Sequence, residues 1–155
     1  MWRRWETVSN LRDPSSGLLN AAYFEVAVPA RVEVARRALR PLSVVLVRTS
    51  GAVGETWECA AVVHRCLRAA DTACQVADDT IGLILEETPE DGALWTAERL
   101  RRDLEETMPG STVWIGVATY PAHALDAAGV LAACRSALGA AAEWPVSSIV
   151  VAQQQ

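Results

Sequence analysis

The residues of this chain that could bind a metal ion or act as a nucleophile are its four cysteines and two histidines. They stand at Cys59, Cys66, Cys74, Cys134, His64 and His123. No two cysteines form a CxxC pair and the histidines are far apart, so the spacing of a zinc site is absent. Isolated cysteines in apolar sequence are typical of small core residues. We therefore expect no metal, no cofactor and no thiol chemistry.

The fourteen basic residues are all arginine, and the sequence contains no lysine. Walker P-loops, Schiff-base enzymes and protein kinases each need a lysine, so these mechanisms are excluded. The formal net charge of −5 argues against general nucleic-acid binding, which requires a basic surface. A few local arginines can still hold a small anionic ligand.

The length and composition are those of one globular domain. Of 155 residues, 51% are hydrophobic and 21% are charged, which suits a single core. We expect a helical extension at residues 1–12, the domain itself at 13–152 and a disordered tail at 153–155. The N-terminus has no apolar signal region, and no stretch approaches the roughly 18 apolar residues of a membrane span. These features predict a cytoplasmic protein with reduced thiols and no membrane contact.

Hydrophobic periodicity and turn residues predict helices and strands in a definite order. The predicted helices lie at 18–39, 55–70, 88–107 and 126–143. The predicted strands lie at 42–47, 74–76, 81–85, 112–118 and 146–151, and the second and third of them form a β-hairpin. Pro29 is expected to kink or break the first helix, and Thr88 is expected to cap the third, with Pro89 as its first residue. This order predicts an α/β sandwich with a central mixed sheet.

Three segments resemble the GGDEF domain of diguanylate cyclases, and they occur in the order of that family. Residues 13–20, DPSSGLLN, keep the Asp, Gly, Leu and Asn of the family's opening DxLTGLxN. Residues 41–47, PLSVVLV, resemble its first strand. Residues 115–118 match its SIGVA strand, with Trp114 in place of the serine. The resemblance covers 13–151 and implies a nucleotide-cyclase-like α/β fold, with the hairpin at the active site.

The hairpin stands where the family has its GGDEF signature, and the resemblance implies that this site is degenerate. Ala77, Asp78, Asp79 and Thr80 occupy the first four positions of the signature. The family's two glycines let the hairpin lie against the nucleotide, so the side chains of Ala77 and Asp78 would crowd it. The family holds magnesium between the hairpin acid, here Asp79, and an aspartate of the first strand, which is Arg48 in this chain. A guanidinium cannot ligate a cation and repels it.

Other parts of the family's catalytic site are missing as well. The next aspartate of that strand corresponds to Ser50, and the segment that recognises guanine is shortened to residues 51–53. The lysine that contacts phosphate falls near Ala141. Phosphoryl transfer depends on the metal and on positioning, so we expect a domain that binds and does not catalyse.

Arg48 leads to a separate prediction about the former metal site. We expect its guanidinium to take the place of the cation and to pair with Asp79 or Asp78. The alternative is that these side chains are simply exposed, and an exposed ion pair contributes little to stability.

One binding motif of the family is retained. Arg68-Ala69-Ala70-Asp71 resembles the RxxD motif that stands five residues before the signature and binds cyclic di-GMP. Arg99 aligns with a second arginine that some family members supply to this ligand. A guanidinium can form paired hydrogen bonds with a phosphate or with guanine, and a carboxylate can accept from a guanine N–H. The resemblance therefore implies a cyclic di-GMP site formed by Arg68, Asp71 and Arg99.

The same three residues have a structural interpretation. Arg68 near the C-terminus of its helix interacts favourably with the helix dipole. Asp71 can cap the turn into the next strand, and Arg99 can pair in solvent with Glu98 or Asp103. Short motifs of this kind also occur by chance, so the sequence leaves both interpretations open.

The six tryptophans divide into two groups. Trp57, Trp95 and Trp114 lie on predicted elements and are expected in the core. Trp2, Trp5 and Trp144 lie near the chain ends, where exposed aromatic residues can mark a homodimer contact or a site for a protein partner.

Three functions are compatible with these features. The first is an inactive GGDEF-type receptor for cyclic di-GMP. The second is a pseudo-enzyme that binds a protein partner and no nucleotide. The third, an active cyclase or GTP hydrolase with a rebuilt site, is disfavoured by the lost metal ligand.

Overall fold

The computed structural model describes residues 11–50 and 56–154. Most of the helical extension expected at 1–12, with Trp2 and Trp5, lies outside the described residues, and so does the shortened segment at 51–53. Arg12, at the start of the described part, forms a β-bridge with Leu19. Among the described helices, none has the length and apolar character needed to cross a membrane.

The described residues form four helices and six strands. The helices are α1 (Ala21–Ala38), α2 (Thr56–Cys66), α3 (Glu90–Thr107) and α4 (Ala127–Ala141). The strands are β1 (Leu19–Asn20), β2 (Leu42–Ser50), β3 (Thr72–Ala77), β4 (Thr80–Glu86), β5 (Thr112–Tyr120) and β6 (Ser148–Val151). They form one mixed sheet in the order β1-β3-β4-β2-β5-β6. The predicted α/β sandwich and its hairpin are confirmed, and the short strand β1 was not predicted.

The central strand β2 supplies both hydrophobic cores. It runs antiparallel to β4 and to β5, so neither of its edges is free. Val45 and Val47 point into the core under α2 and α3, whereas Val44 and Leu46 point into the core under α1 and α4. Because successive side chains of a strand point to opposite faces, a strand covered on both sides is apolar at consecutive positions, as from Val44 to Val47. This is the reason for the continuous apolar run in the sequence.

Helix α1 is continuous through Pro29, so the expected break is wrong. The side chain of Asn20 caps its first turn by accepting from the N–H of Tyr23 at 2.9 Å. A proline inside a helix removes one backbone hydrogen bond, and packing on the sheet outweighs that loss. The buried face carries Phe24, Ala27, Val28, Val32 and Ala35. Val26, on the opposite face, and Leu39, the C-cap, are exposed.

The ends of α2 and α3 differ from the predicted ones. Helix α2 ends at Cys66 and not at Ala70. The N-cap of α3 is Pro89, which makes no side-chain cap. The hydroxyl of Thr88 instead donates to the carbonyl oxygen of Glu86 at 2.7 Å, because the chain turns back over the end of β4 before the helix begins.

The expectation that three tryptophans lie in the core is wrong, since none belongs to either core cluster. Trp57 and Trp95 are exposed, and Trp114 is half-buried. On α3 the inward stripe is formed by Ala93, Ala97, Leu100 and Leu104. Trp95 lies outside this stripe, because a helix can bury only one face against a sheet. Trp144 is exposed, as expected.

The cysteines are free and buried, which confirms their prediction as core residues. Burial raises the pKa of Cys59 to about 11 and that of Cys134 to about 12. A thiol with so high a pKa carries almost no thiolate at neutral pH and is a poor nucleophile.

Candidate functional site

The β3–β4 hairpin ends in a two-residue turn. Ala77 pairs with Thr80 across the hairpin, and Asp78 and Asp79 form the turn. The amide of the buried Gln75 donates to the carbonyl oxygens of Ala77 and Thr80, at Nε2–O distances of 2.7 and 3.4 Å. Backbone pairing and this amide hold the acidic turn in place.

Arg48 lies beside this turn. On β2 it stands opposite Thr80 of β4 and Trp114 of β5. Its Nε atom lies 3.0 Å from Oδ2 of Asp79, and its guanidinium carbon lies 5.8 Å from the centre of the Trp114 ring. The predicted ion pair between Arg48 and Asp79 is present, and a cation–π contact with the indole accompanies it.

Both carboxylate oxygens of Asp79 are engaged. Oδ2 accepts from Arg48 at 3.0 Å, and Oδ1 accepts from the hydroxyl of Thr80 at 2.8 Å. A magnesium ion needs several oxygen ligands at about 2.0–2.1 Å, and a guanidinium at hydrogen-bond distance from one of those oxygens repels it. The residues at this corner of the sheet therefore do not fit a magnesium ion.

The pKa of Asp79 results from opposing effects. Partial burial raises it, whereas the hydrogen bonds from Thr80 and Arg48 and the charge of Arg48 lower it, so that the pKa lies below its ordinary value. A carboxylate whose pKa is lowered by folding stabilises the folded state at pH values above the pKa that it has in the unfolded chain. This contribution is lost as the pH falls through the lowered pKa of the folded state. The contribution is small, because the two side chains are about half exposed and solvent screens the pair.

Replacing Arg48 with methionine is expected to raise the pKa of Asp79. Methionine keeps apolar contact with Trp114 but removes the charge and the Nε donor of Arg48. The raising effect of burial on the Asp79 pKa is then opposed mainly by the hydrogen bond from Thr80. An acid titration that follows the carboxyl carbon of Asp79 by NMR measures the shift. Arg102→Met, at an exposed position of α3, is the control and leaves this pKa unchanged. An unshifted pKa in Arg48→Met would contradict the pairing.

Arg68 and Asp71 lie in the turn between α2 and β3. The side chain of Asp71 is only 4% exposed, whereas that of Arg68 is 60% exposed. The Asp71 carboxylate accepts from the backbone N–H groups of Arg68 and Glu86, each at 3.1 Å. It also accepts from the Arg68 guanidinium, at 3.3 Å to each oxygen. Asp71 therefore ties the α2–β3 turn to the end of β4.

The guanidinium of Arg68 also holds the turn between β4 and α3. Its Nη2 atom donates to the carbonyl oxygen of Glu86 and to the hydroxyl of Thr88, both at 2.6 Å. Between these two residues, Glu87 has a φ of 47°, in the left-handed region that residues other than glycine rarely adopt. Arg68 thus stabilises a backbone conformation that is costly at Glu87.

The structure brings the three motif residues together. Arg68, Asp71 and Arg99 line one pocket of about 290 Å³. Thr88 and Trp95 line it as well, and the guanidinium carbon of Arg99 lies 5.9 Å from the centre of the Trp95 ring. The pocket is therefore built from the α2–β3 turn, the β4–α3 turn and the first turns of α3.

Sequence reasoning missed Thr88 and Trp95 as residues of this pocket. Thr88 was assigned to a helix cap and Trp95 to the core. The position of Trp95 could have been inferred, because it precedes Arg99 by four residues and therefore lies on the same face of the helix. The position of Thr88 depends on the left-handed turn at Glu87, for which the sequence holds no signal.

Comparison with known proteins places the fold in a class. No protein-family model matches the chain, and no curated protein matches it significantly. Solved structures do match over nearly the whole chain, and those described below are GGDEF domains or a diguanylate cyclase. The six-stranded mixed sheet with flanking helices is a nucleotide-cyclase-like α/β fold.

The GGDEF domain of TpbB (YfiN) from Pseudomonas aeruginosa has a TM-score of 0.83 at 21% identity, covering 92% of this chain and 94% of that one. The GGDEF domain of DgcB from Caulobacter crescentus, in complex with c-di-GMP, has a TM-score of 0.83 at 15% identity, covering 99% of this chain and 97% of that one. The diguanylate cyclase SiaD from Pseudomonas aeruginosa, in complex with its activator SiaC, has a TM-score of 0.81 at 16% identity, covering 95% of this chain and 64% of that one. The chain therefore has the GGDEF-domain fold, as its sequence predicted.

Proposed function

We propose that this domain is a receptor for cyclic di-GMP that holds the nucleotide at Arg68, Asp71 and Arg99. The observation that carries the proposal is that Arg99 of α3 lines one pocket with Arg68 and Asp71 of the α2–β3 turn. The GGDEF domain of DgcB, which has the same fold, is in complex with c-di-GMP, and this supports the choice of ligand.

The donors of the pocket suit a guanine nucleotide. A guanidinium has five N–H donors, and within the described part of the chain the hydrogen bonds of Arg68 use Nε and Nη2. This leaves Nη1 of Arg68 and the guanidinium of Arg99 to form charge-assisted hydrogen bonds with a phosphate or with guanine oxygen and nitrogen atoms.

One carboxylate close to this pocket is paired with an arginine. The nearby carboxylate of Glu86 is paired with Arg31, whose Nη1 atom lies 3.0 Å from Oε1 of Glu86. The hydrogen bond with the Tyr23 hydroxyl, together with the charge of Glu86, raises the pKa of Arg31 despite its partial burial. Glu86 is thus neutralised, and Glu87 and Asp71 are the carboxylates that line the pocket together with Arg68 and Arg99.

We infer further that the domain does not synthesise cyclic di-GMP. Arg48 stands at the position where the family has a metal-binding aspartate, and it occupies one oxygen of Asp79. Phosphoryl transfer depends on metal ions that neutralise developing charge. The expected result is that incubation with GTP and magnesium yields no cyclic di-GMP and no GDP.

Calorimetric titration of cyclic di-GMP into the purified protein tests the receptor proposal. We expect micromolar or tighter binding to the wild type, and a loss of at least about tenfold in Arg68→Ala and in Arg99→Ala, because each removes a charge-assisted hydrogen bond. Arg102→Ala is the matched control, since Arg102 is an exposed arginine of the same helix α3 as Arg99. An absence of heat and of any thermal shift at high ligand concentration would exclude the receptor function.

A protein-interaction module without nucleotide binding is the second candidate. It is favoured by large apolar side chains on the surface, including Trp57, Trp144, Val26 and Leu39, because exposed apolar groups can mark an interface. SiaD, which shares the fold, is in complex with a protein activator. Sedimentation of the wild type and of Trp144→Ser tests whether Trp144 contributes to a contact between two copies of the chain.

A further inference from the structure

Trp95 is the most exposed tryptophan among those described. It is 64% exposed, although indole is a large apolar group that is usually buried. It lies on α3 beside the pocket of Arg68, Asp71 and Arg99 and contributes to its lining. An exposed aromatic ring at the rim of a pocket offers a face on which a flat ligand group can stack.

The guanidinium of Arg99 covers one face of the Trp95 ring, so a flat ligand group would stack on the other face. Arg99 lies one helical turn further along α3, with its guanidinium carbon 5.9 Å from the ring centre. Gly92, three residues before Trp95, also lines the pocket and adds no side chain to it. A Cβ atom at Gly92 would lie 3.1 Å from Cγ2 of Thr88, so the helix and the β4–α3 turn approach closely at the pocket floor.

The pocket size limits what can enter it. Its volume of about 290 Å³ lies at the lower end of the range of roughly 300–1,000 Å³ that is typical of small-molecule sites. One nucleobase with its contacts fits such a space, whereas a whole cyclic dinucleotide must extend along the surface. We therefore expect one base of the ligand to enter the pocket, where it meets the Trp95 ring and the guanidinium groups of Arg68 and Arg99.

We propose that Trp95 is the stacking platform for one purine base of the ligand, while Arg68 and Arg99 bind the edge of that base or the adjoining phosphate. The proposal rests on the function proposed above and adds a residue that positions the base. Stacking on an aromatic ring contributes substantially to nucleotide affinity, since every base has a π face. The ring, and not only the charges, is therefore required for tight binding.

Titration of cyclic di-GMP into four proteins tests this proposal: the wild type, Trp95→Ala, Trp95→Phe and Trp144→Ala. We expect Trp95→Ala to weaken binding by about tenfold or more, and Trp95→Phe to keep the affinity within about threefold of the wild type, because a ring remains. Trp144→Ala is the matched control: Trp144 is 60% exposed and lies outside the lining of this pocket, so its loss leaves the affinity unchanged.

A spectroscopic measurement separates stacking from a merely structural role. Cyclic di-GMP is expected to quench tryptophan fluorescence in the wild type and in Trp144→Ala. In Trp95→Phe the quench disappears although calorimetry still detects binding. Thermal unfolding of each variant reports whether the fold is intact, and Trp95→Leu replaces Trp95→Ala if the smaller side chain prevents folding.

The outcomes distinguish this proposal from the one on which it rests. If the wild type binds and Arg68→Ala does not, but Trp95→Ala binds as tightly as the wild type, the stacking platform is wrong and the receptor function stands. Equal loss in Trp95→Phe and Trp95→Ala also overturns stacking. If the wild type itself does not bind, both proposals are overturned.

Discussion

Replacing Gly116 with alanine is expected to destabilise the domain by roughly 3 kcal/mol, the upper part of the usual range for overpacking. Gly116 lies on β5 directly beneath α4. A Cβ atom added there would lie 2.7 Å from the carbonyl oxygen of Cys134 and 2.9 Å from Cα of Leu138, and it would also meet the backbone nitrogen of Leu138. These are helix backbone atoms that cannot rotate away, so α4 must move off the sheet.

Gly139, on the helix α4 that packs over Gly116, provides a control for this prediction. A Cβ atom at Gly139 meets nothing within 4 Å, and alanine is a better helix former than glycine by up to about 1 kcal/mol. Gly139→Ala is therefore expected to stabilise the domain, whereas Gly116→Ala destabilises it. Urea denaturation of the three proteins measures both free-energy changes. Changes of the same sign in the two variants would contradict the close approach of α4 to β5.

Replacing Asp71 with alanine is expected to cost about 2 kcal/mol of stability and to weaken nucleotide binding. The nearly buried carboxylate accepts from two backbone N–H groups, those of Arg68 and Glu86. A buried donor that loses its partner costs about 1–3 kcal/mol. The ion pair adds little to this figure, because the guanidinium of Arg68 is largely exposed and screened by solvent. Binding weakens because the Arg68 guanidinium loses its two hydrogen bonds to Asp71 and keeps only those to Glu86 and Thr88.

Asp71→Asn separates the two roles of this residue. Asparagine keeps the shape and one acceptor oxygen, so it is expected to recover part of the stability, while the loss of charge still weakens the hold on Arg68. Denaturation and calorimetry on the same samples give both quantities. Asp78→Ala, at the exposed hairpin turn, is the control, with an expected change within about 0.5 kcal/mol. Full stability in Asp71→Ala would show that the carboxylate does not hold the turn.

The structural and the ligand interpretations of the RxxD motif are therefore not exclusive. Asp71 holds Arg68 in place, and Arg68 in turn holds the left-handed turn at Glu87 that closes one side of the pocket. A ligand that bonds to Arg68 thus meets a guanidinium whose position is already set. Such preorganisation reduces the entropy lost on binding.

The sequence determined the order of the elements and the two-sided burial of the sheet. The apolar run of β2 predicts a strand covered on both faces, and Asp78–Asp79 between two apolar runs predicts the hairpin. These features depend on residues close in sequence, whose periodicity and turn preferences act locally. The pairing of Arg48 with Asp79 could also be anticipated, because both positions followed from the resemblance.

The tertiary structure alone decided which faces of the helices are buried and how the pocket is completed. The apolar Val26 of α1 and the aromatic Trp95 of α3 are left in solvent, because the sheet can cover only one stripe of each helix. Thr88 reaches Arg68 only through the left-handed backbone at Glu87. Such contacts join residues far apart in the chain, so they depend on how the packed elements meet and not on any local pattern.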